Sequence, residues 1–225
     1  MAQTLISYDR MNKALNRSAR RPQKTRRCIL EAAGRLFAQH GFHGVGFRDI
    51  AAEAGVSLQM PNHHFGNKKK LFSECLRHVF SEHVDLKSLL EEPLRSGGKR
   101  QARRAIFLKS RACFLAVNRP AGPTSWCGAL LGRALTENLV ESLSAMQEGF
   151  RPAREWFAAA LQRLRPGLTP QDFLLWYISF WAQISFYSTA RVAILARMGR
   201  KEYPRPFLLH AADYFAKSML NQLET

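Results

Sequence analysis

The stretch of residues 47–57 reads FRDIAAEAGVS. Its apolar residues recur at i, i+3, i+4 and i+7, namely Phe47, Ile50, Ala51 and Ala54. That spacing predicts one buried stripe of an α-helix. Gly55 favours the end of this helix, because glycine adopts the left-handed conformation of a C-cap at little cost. Ser57 can cap a second helix, so the stretch predicts a helix-turn-helix, a unit whose second helix enters the DNA major groove.

The composition supports a packed protein with a polyanionic partner. The chain has 225 residues, a hydrophobic fraction of 46% and 15 phenylalanines, which is enough for one or two domains with a sizeable core. Its formal net charge is +17 and its isoelectric point is about 10.5. Residues 1–72 carry 13 lysines and arginines against 4 acidic residues, so positive charge is densest where the helix-turn-helix lies.

Cysteine usage and the N-terminal region predict a cytoplasmic protein with reduced thiols. The 4 cysteines contain no C-x-x-C pair, and residues 1–27 carry 8 basic residues without an apolar core of a secretion signal. Between Asp172 and Arg191 lie 18 uncharged residues, which is the short end of what a spanning helix needs. Several serines, a glutamine and a threonine interrupt that stretch, so we expect a buried helix and no membrane partner.

Helical patterns run through the chain without any clear β alternation, so the predicted fold class is all-α. We expect a flexible basic arm over 1–22, a helix-turn-helix DNA-binding head over 23–72 and a ligand-binding and dimerisation body over 73–225. The arm either contacts a minor groove or is a terminus without a role. Predicted helices span about 24–40, 68–92, 100–118, 125–135, 139–164, 170–198 and 206–223, with a kink or division at Pro152.

The polar face of the second helix of the unit is the candidate for reading DNA bases. Gln59, Asn62 and His63 are spaced i, i+3 and i+4, so they share one face, whereas Pro61, His64 and Phe65 point toward the core of the head. Glutamine and asparagine can bond adenine through two hydrogen bonds, and histidine can meet a base or a phosphate. The alternative is a polar face that is only solvated.

Further candidates flank this face. Leu58 and Met60 can touch thymine methyl groups, and Lys68 opens a helix whose free N–H groups favour a phosphate. The full predicted DNA-binding set is Thr25, Arg26, Arg48, Ser57, Leu58, Gln59, Met60, Asn62, His63 and Lys68.

An aromatic-rich helix in the body is the candidate effector site. Tyr177, Phe180 and Tyr187 recur on one face, and Gln183 is a polar group that must find a partner in an apolar helix. One reading is a pocket for an apolar or aromatic molecule, with Gln183 or Arg191 orienting it; the other is an ordinary core helix with Gln183 bonded internally. The predicted ligand-binding set is Trp126, Trp176, Tyr177, Phe180, Gln183, Tyr187 and Arg191.

No enzymatic or metal-binding constellation is expected. The chain contains no Gly-rich phosphate loop, no G-x-S-x-G and no H-E-x-x-H. His40 and His43 straddle Gly41, while His78 and His83 are five residues apart and should point away from each other on an α-helix. The sequence therefore predicts no catalytic residues, no metal and no cofactor.

Three blocks resemble the DNA-binding head of the TetR/AcrR family of regulators. They are TRRCILEAAGRLFAQHGF at 25–42, RDIAAEAGVS at 48–57 and HHFGNKKKLF at 63–72, in the family's order and spacing. Short segments at Arg133, Arg151 and 182–187 are similar to the CerR-type branch. The resemblance implies a homodimer with two heads, operator DNA as partner and a C-terminal domain that binds a small-molecule effector.

Two departures from the family pattern bear on the DNA contacts. Val45 and Gly46 stand where the family has a threonine or serine before the second helix, so a phosphate-binding hydroxyl is missing. Pro61 stands in the recognition helix and removes an N–H that would bond the Ser57 carbonyl, so we expect a distorted first turn.

The sequence thus indicates a ligand-responsive regulator and favours a repressor over an activator. The surplus apolar residues of the last two predicted helices are expected to form the dimer interface. Two rival interpretations are a nucleic-acid-binding architectural protein without a ligand and an enzyme on an α-helical scaffold; a sequence-specific footprint would exclude the first of them.

Overall fold

The computed structural model describes residues 22–90, 98–119, 125–137 and 139–223, and this part of the chain contains helices and no strand. The predicted all-α fold class is therefore confirmed. The predicted arm over 1–22 lies almost wholly outside the described residues. The helices are α1 (22–40), α2 (Phe47–Ala54), α3 (Gln59–Phe65), α4 (Lys68–His78), α5 (Leu86–Leu90), α6 (Lys99–Val117), α7 (Trp126–Thr136), α8 (Val140–Leu164), α9 (Pro170–Thr189), α10 (Arg191–Met198) and α11 (Arg205–Asn221).

Helices α1 to α3 and the first turns of α4 form the head around a small aromatic core. The ring of Phe37 lies 5.1 Å from that of Phe72 and 6.1 Å from that of Phe42. Gly41 ends α1 with a positive φ of 73°, which glycine adopts without the steric cost that other residues meet. The buried side of α1 carries Ile29, Ala32, Ala33 and Phe37.

The fourth helix does not run unbroken to about residue 92 as predicted. It ends at His78, continues as a π-helical turn over Val79–His83, and α5 then begins as a separate helix. The Asp85 carboxylate accepts a hydrogen bond from the Ser88 N–H at 3.0 Å, which caps α5 and marks the break. Hydrogen bonds to Ser88 lower the pKa of Asp85 below its usual value.

Pro152 does not divide α8, which is continuous over 25 residues. This helix passes very close to the π-helical turn. A Cβ at Gly149 would lie 2.1 Å from Cδ2 of Phe80, so only glycine permits the approach. The Phe80 and Phe150 rings then meet edge to face at 4.9 Å.

The body is built around the buried face of α9. Phe180 is fully buried, and its ring lies 4.8 to 5.1 Å from the rings of Phe157, Trp176, Trp181 and Phe215. Helix α11 packs mainly along α6, where its apolar stripe of Leu208, Ala211, Phe215, Met219 and Leu223 is covered within the chain. Tyr214 on the same helix is 72% exposed, so only part of the surface that the sequence predicted for a dimer is covered within the chain.

The long helix predicted over 170–198 is divided into α9 and α10. The division lies at Ala190, whose φ of −92° and ψ of 14° interrupt the helical path. The side chain of Thr169 accepts a hydrogen bond from the Asp172 N–H at 3.1 Å, so α9 begins with a well-formed cap.

The head is docked on α7 of the body. A Cβ at Gly34 would lie 2.4 Å from the Trp126 ring, so the indole packs directly on the backbone of α1. The Phe42 N–H donates to the Glu137 carboxylate at 2.9 Å. These contacts fix the orientation of the head relative to the body in this structure.

Candidate nucleic-acid interface

The turn between α2 and α3 is held by the backbone pattern that glycine favours. Gly55 has a φ of 64° and a ψ of 36°, in the left-handed region. The N–H groups of Gly55 and Val56 donate to the carbonyls of Ala52 and Ala51 at 3.2 and 3.0 Å. This is the Schellman arrangement, which satisfies the carbonyls at the end of α2 and aims the chain into α3.

The predicted cap by Ser57 is wrong, because the residue before α3 is Leu58 and no side-chain hydrogen bond caps the helix. The Met60 N–H instead donates to the Ser57 carbonyl at 3.0 Å. The Ser57 carbonyl is therefore satisfied although Pro61 has no N–H to donate to it. Helix α3 continues through the buried proline without interruption.

Helix α3 divides the predicted residues between solvent and core. Gln59, Asn62 and His63 are exposed together on one face, whereas Pro61 and Phe65 are buried on the other. Ala51 is buried where α2 and α3 meet, which fits its small size. Three side chains with hydrogen-bonding groups thus point away from the head.

The apolar neighbours of this face differ from each other. Leu58 is 58% exposed and available for contact, whereas Met60 is half-buried and packs against the core of the head. Before α2, the Gly46 N–H donates to the Asp49 carboxylate at 2.8 Å, whereas glycine has no hydroxyl that could accept a hydrogen bond from the first turn of α2. Arg48 is exposed beside it and free to meet a phosphate or a base edge.

The basic candidates behind the recognition face already have partners within the head. Lys68 Nζ donates to the Val45 carbonyl at 3.0 Å and lies 4.4 Å from the centre of the Phe42 ring. Two of the three ammonium donors remain for a phosphate. The guanidinium of Arg26 bonds the Glu74 carboxylate, and Thr25 is half-buried on the same helix.

His64, which the sequence predicted to point toward the core of the head, is half-buried on α3. Its Nε2 is buried and has no partner among the described residues. Burial lowers the pKa of His64, and the nearby charges of His63 and Arg26 lower it further. The ring borders a cavity of about 480 Å³ beneath the recognition helix, with Arg26, Phe65, Lys70, Ser73, Glu74, Arg77 and Glu141 as its other lining residues.

The seven predicted effector residues belong to α7, α9 and α10. Trp126 packs on α1 and on the His83 ring at the junction of head and body. Trp176 donates its indole N–H to the Met219 carbonyl at 2.9 Å and stacks in the core with Phe180. These rings fill the core by contacting one another.

The remaining predicted effector residues lie along α9 and at the first residue of α10. Gln183 donates to Met219 Sδ at 3.3 Å, so it has an internal, weak partner. Tyr187 packs on Phe114, 4.8 Å between ring centres. The Arg191 guanidinium lies 4.9 Å from the centre of the Tyr203 ring, at an open cavity of about 480 Å³ between α1 and α7.

Two buried polar groups of the body stand out, and sequence reasoning missed both. Ser110 Oγ on α6 and Trp181 Nε1 on α9 are buried without a well-formed hydrogen bond to the described residues. The Tyr177 hydroxyl lies near Trp181 and donates to the Phe150 carbonyl at 3.2 Å. Burial raises the pKa of Tyr177 to about 12. A buried donor without a partner is costly, which makes Ser110 a candidate for receiving a polar group.

The expectation that His78 and His83 point apart is wrong. Both imidazoles bond the Glu31 carboxylate, with each Nε2 2.9 Å from Oε1. Although burial raises the pKa of Glu31, the hydrogen bonds from the two histidines outweigh it and lower that pKa overall. The sequence does not indicate that the two imidazoles come together, because their proximity depends on the π-helical turn between the two histidines.

No helix among the described residues combines the length and apolar character that crossing a membrane requires. The uncharged stretch of α9 fell at the margin of that requirement in the sequence. In the structure its buried side packs against α6, α7 and α8.

Comparison with known proteins finds a family match for the head. Residues 29–75 match the model described as bacterial regulatory proteins, tetR family. The regulator BetI of Agrobacterium fabrum is 39% identical over 57 residues, which are 25% of this chain and 28% of BetI. The regulatory protein RaaS of Mycobacterium tuberculosis is 53% identical over 47 residues, 21% of this chain and 22% of RaaS. The matches thus span less than a third of these relatives.

Solved structures extend the likeness to the whole fold. A transcriptional regulator of Pseudomonas aeruginosa superimposes with a TM-score of 0.62 at 20% identity, covering 90% of this chain and 91% of that one. FadR of Bacillus subtilis, solved with stearoyl-CoA, gives 0.59 at 15% identity, covering 87% and 97%. The head of this chain is thus similar to the DNA-binding domain of the TetR family, and the chain as a whole has the fold of solved regulators of that family. The resemblance to the CerR-type branch is not tested by these matches and stays a prediction.

Proposed function

We propose that the protein is a cytoplasmic, ligand-responsive transcriptional repressor that binds a palindromic operator as a homodimer and leaves it when a small effector binds the body. The observation that carries the proposal is the exposed face of Gln59, Asn62 and His63 on the second helix of a TetR-family head. Side chains of these types at this spacing suit hydrogen bonding to base edges in the major groove. The exposed Arg48 supplies positive charge beside that face.

Selection from a random DNA library tests this function directly. We expect the purified protein to enrich one palindromic sequence whose half-sites are one helical turn of DNA apart or a multiple of it, about 34–36 Å per turn. Binding should weaken steeply with salt, because each neutralised phosphate releases counterions. Retention of DNA without any enriched motif would contradict the proposal and favour an architectural protein.

The dimer is proposed to form through the outer face of α9. Its large apolar residues that are more than half exposed are Leu174, Leu175, Ile178 and Phe186. Leu175, Ile178 and Phe186 follow one another at spacings of 3 and 8, so they form one stripe along the helix together with the exposed Ala182. A second copy related by a two-fold axis would cover this stripe with its own equivalent.

The effector is proposed to enter the body between α6, α8 and α9. Ser110 and Trp181 offer hydrogen-bonding groups without good partners, and the Phe150 ring lies 4.3 Å from that of Trp181. An apolar or aromatic molecule with one polar group fits such surroundings. FadR of Bacillus subtilis was solved with stearoyl-CoA, which supports ligand binding by proteins of this fold. Of the residues predicted from sequence, Tyr177 is kept in this proposed site.

The variant Ser110→Ala is expected to weaken effector binding by about 5- to 150-fold, because removing one buried hydrogen bond costs about 1–3 kcal/mol. A panel of aromatic and apolar compounds that raise the melting temperature of the protein would supply the effector. Calorimetric titration of both proteins then measures the difference. The control Ser144→Ala alters an exposed serine on α8 and should bind as the unmodified protein does. Equal affinities for Ser110→Ala and the control would remove Ser110 from the site.

A further inference from the structure

Three metal-ligating side chains converge where the head meets the body. Glu31 belongs to α1, His78 ends α4 and His83 ends the π-helical turn. Both histidine Nε2 atoms lie 2.9 Å from Glu31 Oε1, and the three atoms all lie within 4.8 Å of one another. The side chains are 24%, 8% and 12% exposed, so the cluster is largely shielded from solvent.

The π-helical turn is what brings the two imidazoles together. On an α-helix, side chains five residues apart point in different directions, because one turn takes 3.6 residues. Here the Val84 N–H donates to the Val79 carbonyl at 2.7 Å, an i to i+5 bond that widens the turn. His78 and His83 are therefore close to one turn apart. Such turns are rare and often occur at functional sites.

Neighbouring groups hold the ligands in this arrangement. The His83 ring lies edge to face with Trp126 at 5.7 Å, and the Arg119 guanidinium donates to the His83 carbonyl. The two imidazole rings are inclined at 85° with their centres 5.2 Å apart. Their nitrogens thus approach the carboxylate oxygen from two directions, as ligands of one ion do.

We propose that Glu31 Oε1, His78 Nε2 and His83 Nε2 form a binding site for a divalent transition cation of the Zn²⁺ class. Two imidazole nitrogens and one carboxylate oxygen are a donor set that Zn²⁺ uses when its fourth position stays open. Bond lengths of about 2.0–2.1 Å place tetrahedral ligand atoms about 3.3 Å apart. The oxygen therefore needs to recede from each nitrogen by a few tenths of an ångström, and the two nitrogens, which lie within 4.8 Å of each other, need to take up the same spacing.

The site would couple the cation to the position of the head. Glu31 moves with α1, whereas His78 and His83 move with the elements that enter the body. An ion bound to all three would tie α1 to the body and oppose rotation of the head away from it. The cation would thus act on the position of the head separately from the effector proposed between α6, α8 and α9.

Zinc binding to the purified full chain tests the proposal. After metal removal and equilibrium dialysis against Zn²⁺, we expect one zinc per chain by elemental analysis. At a free concentration 100 times the dissociation constant, the melting temperature should rise by about 5–10 °C. The variants Glu31→Gln and His83→Gln should each bind zinc at least about 100-fold more weakly, because they remove a ligand rather than its support.

A matched control separates this site from surface histidines. The double variant His40→Gln, His43→Gln alters two exposed imidazoles at the end of α1 and should bind zinc as the unmodified chain does. Substoichiometric zinc in the unmodified chain overturns the proposal, and so does full zinc binding by folded Glu31→Gln and His83→Gln. If these variants fail to fold, Co²⁺ added to the unmodified chain decides. Visible bands of four- or five-coordinate Co²⁺ support the site, and a purely octahedral spectrum overturns it.

Discussion

The triple variant Gln59→Ala, Asn62→Ala, His63→Ala is expected to reduce the preference for the operator by roughly 1,000-fold or more. Each well-formed pair of hydrogen bonds to a base is worth about 1–3 kcal/mol of discrimination. Two such residues in each of two half-sites give at least about 4 kcal/mol, and about 1.4 kcal/mol corresponds to a factor of ten. Titration of operator and scrambled DNA at one salt concentration measures the ratio.

The three side chains are exposed and make no hydrogen bonds that hold the head together among those described, so the variant should fold normally. Arg48→Ala provides the contrasting control. It removes an exposed charge, so it should weaken binding to operator and scrambled DNA alike. The slope of log K against log salt should fall by about 0.9 for each phosphate that the variant no longer neutralises. A triple variant that kept its operator preference would show that α3 does not read the bases.

The head was predictable because its signals are local. Gly55 imposes a left-handed backbone at one position, and the apolar spacing on each side leaves few ways to pack two short helices. The exposed and buried faces of α3 follow from the same spacing. Pro61 was harder to judge, since whether its missing N–H matters depends on Met60 satisfying the Ser57 carbonyl instead.

The break after the π-helical turn was less visible in the sequence. Apolar residues continue with helical spacing through Val79 and Phe80, so periodicity alone predicts one long helix. The signal that could have marked the break is Asp85, three residues before Ser88, because this spacing suits a helix cap. The π-helical turn itself is set by tertiary packing, including the close approach of Gly149 to Phe80.

The effector site was the least predictable part. Aromatic residues at helical spacing identify a buried face of α9, but they do not say whether the rings meet a ligand or one another. Trp176 and Phe180 meet other rings of the core, and Gln183 meets Met219. The more informative observation is a buried group that lacks a partner, such as Ser110 Oγ, and this emerges only when all neighbouring helices are placed.

The double variant Leu175→Asp, Ile178→Asp is expected to convert the dimer into a monomer and to weaken operator binding by at least about 100-fold. These residues are 58% and 56% exposed in the single chain, so the carboxylates would remain hydrated in the monomer. In a two-fold interface each carboxylate would be buried and would face its symmetry mate, which costs several kcal/mol. A monomer contacts only one half-site, so its affinity should approach the non-specific range of about 10⁻⁴–10⁻⁶ M.

Light scattering coupled to size exclusion measures the mass, and operator titration measures the affinity. The control Leu108→Asp changes a leucine on α6 that is 49% exposed and lies off the α9 stripe, so it should remain dimeric. A folded α9 variant that stays dimeric and keeps its operator affinity would place the interface elsewhere. Among the described residues, α9 carries four large apolar side chains that are more than half exposed, and a second copy is the partner that the proposed palindromic operator requires.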